Sequence, residues 1–333
     1  MLSRLLRPAA STAANRPGMR PLLRAEDAAA LIAQARGLRA AHTVRPTGQR
    51  AAGDSASAWR GRGLDYAESR AYQPGDDLRD LHWRLLARTG KPFVKVHQED
   101  HAPAWHALLD LRPGMRFGTQ LRTKAEQAAR MALLACVTQA LASEGAAGTM
   151  GLTLWREPLQ TVDLGRGLPA VRRLAQVLQQ AQIAPPTQAD ADAPNAASTA
   201  SAFSIWAQRL GRTLPEGSRL VLISDGAGWD APEIDAALWG LRSRADVLIL
   251  LVQDPVESAL PEGAVLKSAR FVDLARHQSG MLPNAAQGRA AFLLLAQQRR
   301  AALLARWRSR GLACIEAGVA HSDAALLHAL RTR

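Results

Sequence analysis

Several side chains in this 333-residue chain are of types that do chemistry, and their spacing decides how much chemistry they can share. Asp76 and Asp77 raise the question of paired carboxylates for hydrolysis. Adjacent residues usually point apart, and after Pro74-Gly75 either Asp suits a tight turn and the cap of a following helix. His82, His97, His101 and His106 lack the HExxH order of a zinc protease, and His82 beside Trp83 reads as a packed, hydrogen-bonded imidazole. Cys136 and Cys314 lie in apolar stretches and read as core fillers, which excludes a disulfide scaffold and a cysteine-rich zinc module. The sequence contains neither a P-loop nor a GxSxG elbow. Asp110 and Asp225 each close an apolar, strand-like run, and the carboxyl ends of strands are where open α/β sheets present their sites.

The elements that must carry these residues follow from periodicity. WHALLDL (105–111), SRLVLISDG (218–226), DVLILLV (246–252) and LACIEA (312–317) are continuous apolar strand runs. Helical patterns stand between them at 120–143, 168–182, 199–213 and 231–243, with further helices at 285–310 and from Ser322. GTMGLTLW (148–155) and LQTVDL (159–164) flank Arg156-Glu157-Pro158 as a hairpin, which contributes one antiparallel edge strand. The segment 184–198 reads as a Pro/Ala/Asp loop. Such alternation predicts an α/β fold, a mostly parallel sheet with helices on both faces.

The net charge is +13, and nine Arg against two acids fall in the first fifty residues. No zinc finger, helix-turn-helix or ribonucleoprotein motif accompanies that charge, so no specific nucleic acid is expected as partner. Residues 1–24 read as a flexible basic tail, suited to acidic partners or to peripheral contact with anionic lipid. Residues 25–58 read as a short helix, with Leu31, Ile32, Ala35 and Leu38 at helical spacing, followed by a linker. No run approaches the roughly 20 apolar residues of a membrane span. A cytoplasmic location is expected.

Residues 59–103 hold most of the special residues. Leu78, Leu81, His82, Leu85 and Leu86 predict a short helix carrying Trp83, and Leu81, Trp83 and Leu85 give it an apolar face that should be buried. Phe93-Val94-Lys95-Val96 alternates as a strand. Acids and bases nearly balance here, which suits internal ion pairs better than a phosphate groove.

This segment closely resembles the signature of the bacterial family called domain of unknown function 58. The matching residues are Gly61, Gly63, Leu64, Asp65 and Tyr66, then Arg70, Tyr72, Pro74, Gly75, Asp76, Asp77 and Arg79. His82-Trp83, Ala87-Arg88-Thr89-Gly90-Lys91 and Glu99-Asp100 complete the match. The resemblance covers about residues 59–330 and implies that the segment precedes a von Willebrand factor A-like domain, here 104–333. It further implies partnership with a MoxR-type AAA+ ATPase, and with another von Willebrand factor A protein, in chaperone-like assemblies. It supplies no enzymatic activity, cofactor or substrate.

Metal-binding members of that fold hold Mg²⁺ with a DxSxS loop, a later Thr and a second Asp, all hard oxygen donors. Here the loop reads Asp110-Leu111-Arg112-Pro113-Gly114, so Arg112 and Gly114 stand where hydroxyls would be. Asp225 is read as the second Asp, and Ser198 or Thr199 as the source of a further hydroxyl. A guanidinium repels a divalent cation, and Arg112 is expected to pair with Asp110 or Asp225 as a substitute for the metal charge. A degenerate metal site and no cofactor are therefore expected. The eight tryptophans are read mainly as core or interface anchors, with Trp229 as the exposed contact; Arg112, Arg116 and Trp229 are the interface candidates. The function expected is a non-enzymatic adaptor; the alternative is a metal-dependent hydrolase or nucleic-acid-binding protein using the signature segment.

Overall fold

The computed structural model describes residues 19–43, 65–74, 81–98, 103–142, 148–184, 196–258, 270–273, 278–281 and 286–331. The chain divides into two compact units, residues 43–102 and the remainder.

The larger unit begins with β1 (Arg20–Pro21) and α1 (Ala25–Thr43). In the smaller unit, β2 (Asp65–Ala71) pairs antiparallel with β3 (Phe93–Gln98), and α2 (Trp83–Thr89) lies between them in sequence. Helix α2 is short because both ends are closed locally. His82 Nδ1 accepts the Leu85 N–H at 3.1 Å as the N-cap, and Gly90, at φ +69°, turns its N–H back to Leu86 O. The cap is thus His82; the expected capping residues Asp76 and Asp77, with Gly75 and Arg79, lie outside the described residues. Leu81 is buried and Leu85 half-buried, but Trp83 is 66% exposed. The apolar face predicted for α2 therefore excludes its largest member, because Trp83 leads the helix one residue after its cap and points off the Leu81 side.

The larger unit continues with β4 (Trp105–Asp110), a 3₁₀ turn (Pro113–Arg116), α3 (Lys124–Ala142), β5 (Met150–Trp155), β6 (Gln160–Gly165) and α4 (Gly167–Gln180). Then come β7 (Gln182–Ile183), α5 (Ala196–Thr213), β8 (Ser218–Ser224), α6 (Pro232–Arg242), β9 (Ala245–Gln253) and α7 (Pro255–Ser258). The chain closes with β10 (Arg270–Asp273), β11 (Gln278–Met281), α8 (Ala286–Ser309), β12 (Ala313–Gly318) and α9 (Asp323–Arg331).

Six strands form one sheet in the order β12-β9-β8-β4-β5-β6, parallel except for β6 at the edge. The inner strands are apolar at nearly every position because both faces are covered. Ala107 and Leu109 of β4 join the core under α1, α3, α4 and α9, whereas Leu108 between them joins the core under α5, α6 and α8. This is the mostly parallel α/β architecture expected. The chain crosses from the central strand β4 outward to β5 and β6, then returns to fill the other side with β8, β9 and β12. That reversal places the carboxyl ends of β4 and β8 side by side.

The expected tail gives way to structure before residue 24. Arg20 and Pro21 pair with Ile183 and Gln182, and Leu22 and Leu23 are buried in the core with Leu31 and Ala35 of α1. Apolar pairs in a Pro- and Arg-rich stretch are too short to show a period, which hid this anchor.

Candidate functional site

Three neighbouring parallel strands each deliver an acid to one edge of the sheet: Asp110 ends β4, Asp225 follows β8 and Asp254 follows β9. None of these carboxylates is left open.

Asp110 is fully buried. Arg112 grips it as a fork, with Nε 3.0 and 3.1 Å from Oδ1 and Oδ2 and Nη2 2.6 Å from Oδ2. The Arg112 backbone N–H donates to Oδ1 at 3.0 Å, and Ser224 Oγ donates to Oδ2 at 2.7 Å. Arg112 Nη2 also donates to Ala227 O at 3.0 Å, and its guanidinium lies 4.2 Å above the Trp155 ring. Burial works against this charge, but Asp110 and then Asp225 outweigh it and hold the guanidinium above its ordinary pKa. Pro113-Gly114 starts the 3₁₀ turn directly after Arg112 and folds the side chain back onto the strand end.

Lys124 does for Asp225 what Arg112 does for Asp110. Its Nζ lies 2.7 Å from Asp225 Oδ2 and 2.5 Å from Glu257 Oε1, with the lysine side chain only 3% exposed. Asp225 Oδ1 accepts the Ala227 N–H at 3.0 Å. Burial alone would raise the Asp225 carboxyl; the charges of Lys124 and Arg112 and the Lys124 hydrogen bond instead hold it below the usual carboxylate range. The same carboxylates, Asp225 then Glu257, overcome burial and raise the Lys124 ammonium.

A capping box sets Lys124 in place. Thr123 Oγ1 accepts the Glu126 N–H at 3.2 Å, and Glu126 Oε2 accepts the Thr123 N–H at 2.7 Å, so Lys124 opens α3. A cation in the first turn opposes the helix dipole, and only the two carboxylates make that position favourable. Asp254 completes the edge: Thr119 donates to it through N–H (2.7 Å) and Oγ1, and Glu257 Oε2 accepts the Asp254 N–H at 3.0 Å.

The residues at this edge do not fit a divalent cation. Five donor contacts occupy the oxygens of Asp110, and an ammonium sits on Asp225. A Cβ on Gly114 would come 3.2 Å from Asp225 Oδ2, so the position that lacks its hydroxyl faces that carboxylate. Ser198 and Thr199 fall in the first turns of α5, and the hydroxyl on Asp110 comes from Ser224.

Sequence reasoning placed Asp110, Arg112, Gly114 and Asp225 at one edge and paired Arg112 with a carboxylate; it missed Lys124, Ser224, Asp254 and Glu257. Two signals could have found Lys124: it is one of four lysines in an arginine-dominated chain, and Thr123-x-x-Glu126 spells a capping box.

Trp229 requires correction. It was read as an exposed contact but is wholly buried, with ring centroids 6.2 Å from Trp155, 5.7 Å from Phe203 and 5.8 Å from Trp307. The loop carrying it folds inward because the aromatic cluster removes far more apolar surface from water than an exposed indole could. Arg116 is half-buried at the end of the 3₁₀ turn.

The histidines, which showed no zinc-binding order in the sequence, do not converge among the described residues. His106 is buried in β4, where Nε2 lies 2.9 Å from Thr153 Oγ1, and burial lowers its pKa to about 4. His82 caps α2, His97 lies on β3, and His101 is outside the described residues. Cys136 is buried, which pushes its thiol up to about 12 and leaves it inert; Cys314 is half-buried on β12. Of the signature residues, Asp65, Tyr66 and Arg70 fall on β2, Tyr72 and Pro74 follow it, and Arg88, Gly90 and Lys91 end α2. Gly63 lies outside the described residues.

Comparison with known proteins adds relatives without a described activity. The chain is 28% identical over 214 residues to an uncharacterized protein of Mycobacterium tuberculosis, matching 63% of this chain and 61% of that one. It thus spans about three-fifths of the length of its curated relatives. Among solved structures it is similar to the conserved hypothetical protein BatB from Bacteroides thetaiotaomicron, at 12% identity and a TM-score of 0.38 over 69% of this chain and 96% of that one. A von Willebrand factor type A structure from Catenulispora acidiphila matches at 10% identity and a TM-score of 0.34, over 72% and 43% of the two chains. The family model described as protein of unknown function DUF58 matches residues 68–302, more than half of the chain, and the chain belongs to that family.

Proposed function

We propose that the protein is a non-enzymatic interaction module, an accessory partner of a MoxR-type AAA+ ATPase in a chaperone-like assembly. One observation carries the non-enzymatic part: Asp110 and Asp225, the two strand-end carboxylates that could hold a metal or activate water, are bound by Arg112 and Lys124. A carboxylate held on a guanidinium or ammonium is a poor base and a poor ligand. The ATPase as partner rests on the family resemblance. The topology supports a contact surface at the carboxyl edge of the sheet, where the loops after β4 and β8 lie side by side and Arg112 keeps 20% of its side chain exposed and Glu257 38%.

The test is co-purification of the full chain with the ATPase, with and without Arg116→Glu. Capture of the ATPase, weakened by Arg116→Glu with an unchanged circular dichroism spectrum, supports the reading. Hydrolysis of a nucleotide or phosphoester by the purified chain alone, abolished by Asp110→Asn, would overturn it.

A further inference from the structure

Helix α8 is split between two environments. Its carboxyl half is core, with Leu304 and Trp307 buried. Its amino half is not: Leu293, Leu294 and Leu295 are 37%, 56% and 46% exposed, Ala290 and Ala291 are exposed, and Phe292 is half-buried. Consecutive residues on a helix stand 100° apart, so three exposed leucines in a row open more than half of its circumference to water. A helix apolar all round normally lies in a core or in lipid, and a contiguous exposed apolar patch marks a docking surface.

Charge says what covers it. Helix α8 carries Arg289, Arg299, Arg300, Arg306 and Arg308 and no acid. Between residues 259 and 310 the sequence holds nine Lys or Arg against two acids, a net +7 of the chain's +13. Arg300 is paired with Glu316, and Arg306 donates to Asp230 O. Arg299 and Arg308 are exposed and form no ion pair with the described residues.

We propose that the amino half of α8 docks the protein on an anionic phospholipid surface. Residues 290–296, AAFLLLA, make an apolar block of about 10 Å along the helix axis at 1.5 Å per residue, and an interfacial helix lies in the plane of the surface with such an apolar face in the headgroup and acyl boundary. Half-buried Phe292 and Ala296 turn toward the protein, which leaves Ala290, Ala291, Leu293, Leu294 and Leu295 as the face offered to the headgroup and acyl boundary. Arg289 precedes the block in sequence and Arg299 follows it, and the exposed Arg299 side chain can reach headgroup phosphates while its stem stays apolar. No described helix is long and apolar enough to cross a membrane, so the contact is peripheral. The contact does not require the ATPase.

The test is sedimentation of the full chain with phosphatidylcholine vesicles, with and without phosphatidylglycerol. We expect co-sedimentation only with the anionic vesicles, reduced by high salt. Leu293→Ser/Leu294→Ser/Leu295→Ser and, separately, Arg299→Glu/Arg308→Glu should each lower the bound fraction by about tenfold with circular dichroism and Tm unchanged. Wild-type protein that stays in the supernatant would overturn the proposal. So would a leucine triple variant that sediments like wild type, which would move the contact to the basic amino terminus. A concentration-dependent dimer that the triple variant abolishes, without vesicle binding, would assign the block to a second copy instead.

Discussion

Lys124, the first residue of α3, places its ammonium 2.7 Å from the carboxylate of Asp225, a residue 101 positions later at the end of a different strand. With the Arg112–Asp110 fork beside it, this contact makes the strand-end edge a pair of internal ion pairs. Asp110 and Asp225 are each matched by a cation that the chain itself supplies, while Asp254 is held by the Thr119 N–H and hydroxyl.

Removing one partner should expose the cost of that arrangement. Lys124→Met leaves Asp225 buried beside Arg112 without its main counterion and should destabilise the protein by about 3–5 kcal/mol in denaturant unfolding. Adding Asp225→Asn should recover most of the loss. The pH dependence has a definite sign. In the wild type the lowered Asp225 pKa gives stability that is present above about pH 4 and lost as the carboxylate protonates. In Lys124→Met only Arg112 still opposes burial, so Asp225 protonates more readily than in the wild type and the gap between the two proteins should narrow as pH falls.

Restoring the two missing hydroxyls should not restore a metal site. Arg112→Ser/Gly114→Ser leaves the Lys124 ammonium on Asp225, and calorimetry should show no saturable Mg²⁺ heat. Adding Lys124→Ser should produce saturable binding. Mg²⁺ binding by the double variant would show that Lys124 is not the obstacle.

His106 should make the fold acid-sensitive. Its folded pKa of about 4 lies below the unfolded value near 6.5, so the unfolded chain binds the extra proton and stability falls as pH drops from 6.5 toward 4. The loss should total about 3 kcal/mol. His106→Leu should flatten this part of the stability profile, because the ring meets only neutral partners, Thr153 and Trp206. An unchanged slope would contradict it.

Trp229 and Trp307 bury indole N–H groups without acceptors among the described residues. Trp229→Phe should therefore cost less than about 2 kcal/mol, since it removes an unsatisfied donor together with part of the ring. Trp229→Ala should cost about 3–5 kcal/mol through the cavity it leaves in the aromatic cluster. Thermal melts of both variants check the ordering.

The frame of the molecule was legible because β4, β8 and β9 are apolar on both faces, a pattern that only a doubly covered sheet explains. The hairpin of β5 and β6 was legible from Arg156-Glu157-Pro158 between two strand runs. Arg112 was legible too, since its contact with Asp110 spans two residues and the Pro-Gly turn is visible in the sequence. Lys124, Ser224 and Glu257 were not, because they meet their partners across 101, 114 and 133 positions, distances that only the strand order closes. Trp229 was misread because a Gly-rich loop after a strand suggests exposure, while the rings that bury it come from β5, α5 and α8.

The account turns on Arg112 and Lys124 standing in the place of a divalent cation, and Mg²⁺ titration calorimetry of the wild-type chain beside Asp110→Ala addresses it directly. The account predicts that neither protein gives saturable heat. Saturable binding by the wild type in the micromolar range, lost in Asp110→Ala, would show that a metal displaces the internal cations and would contradict it.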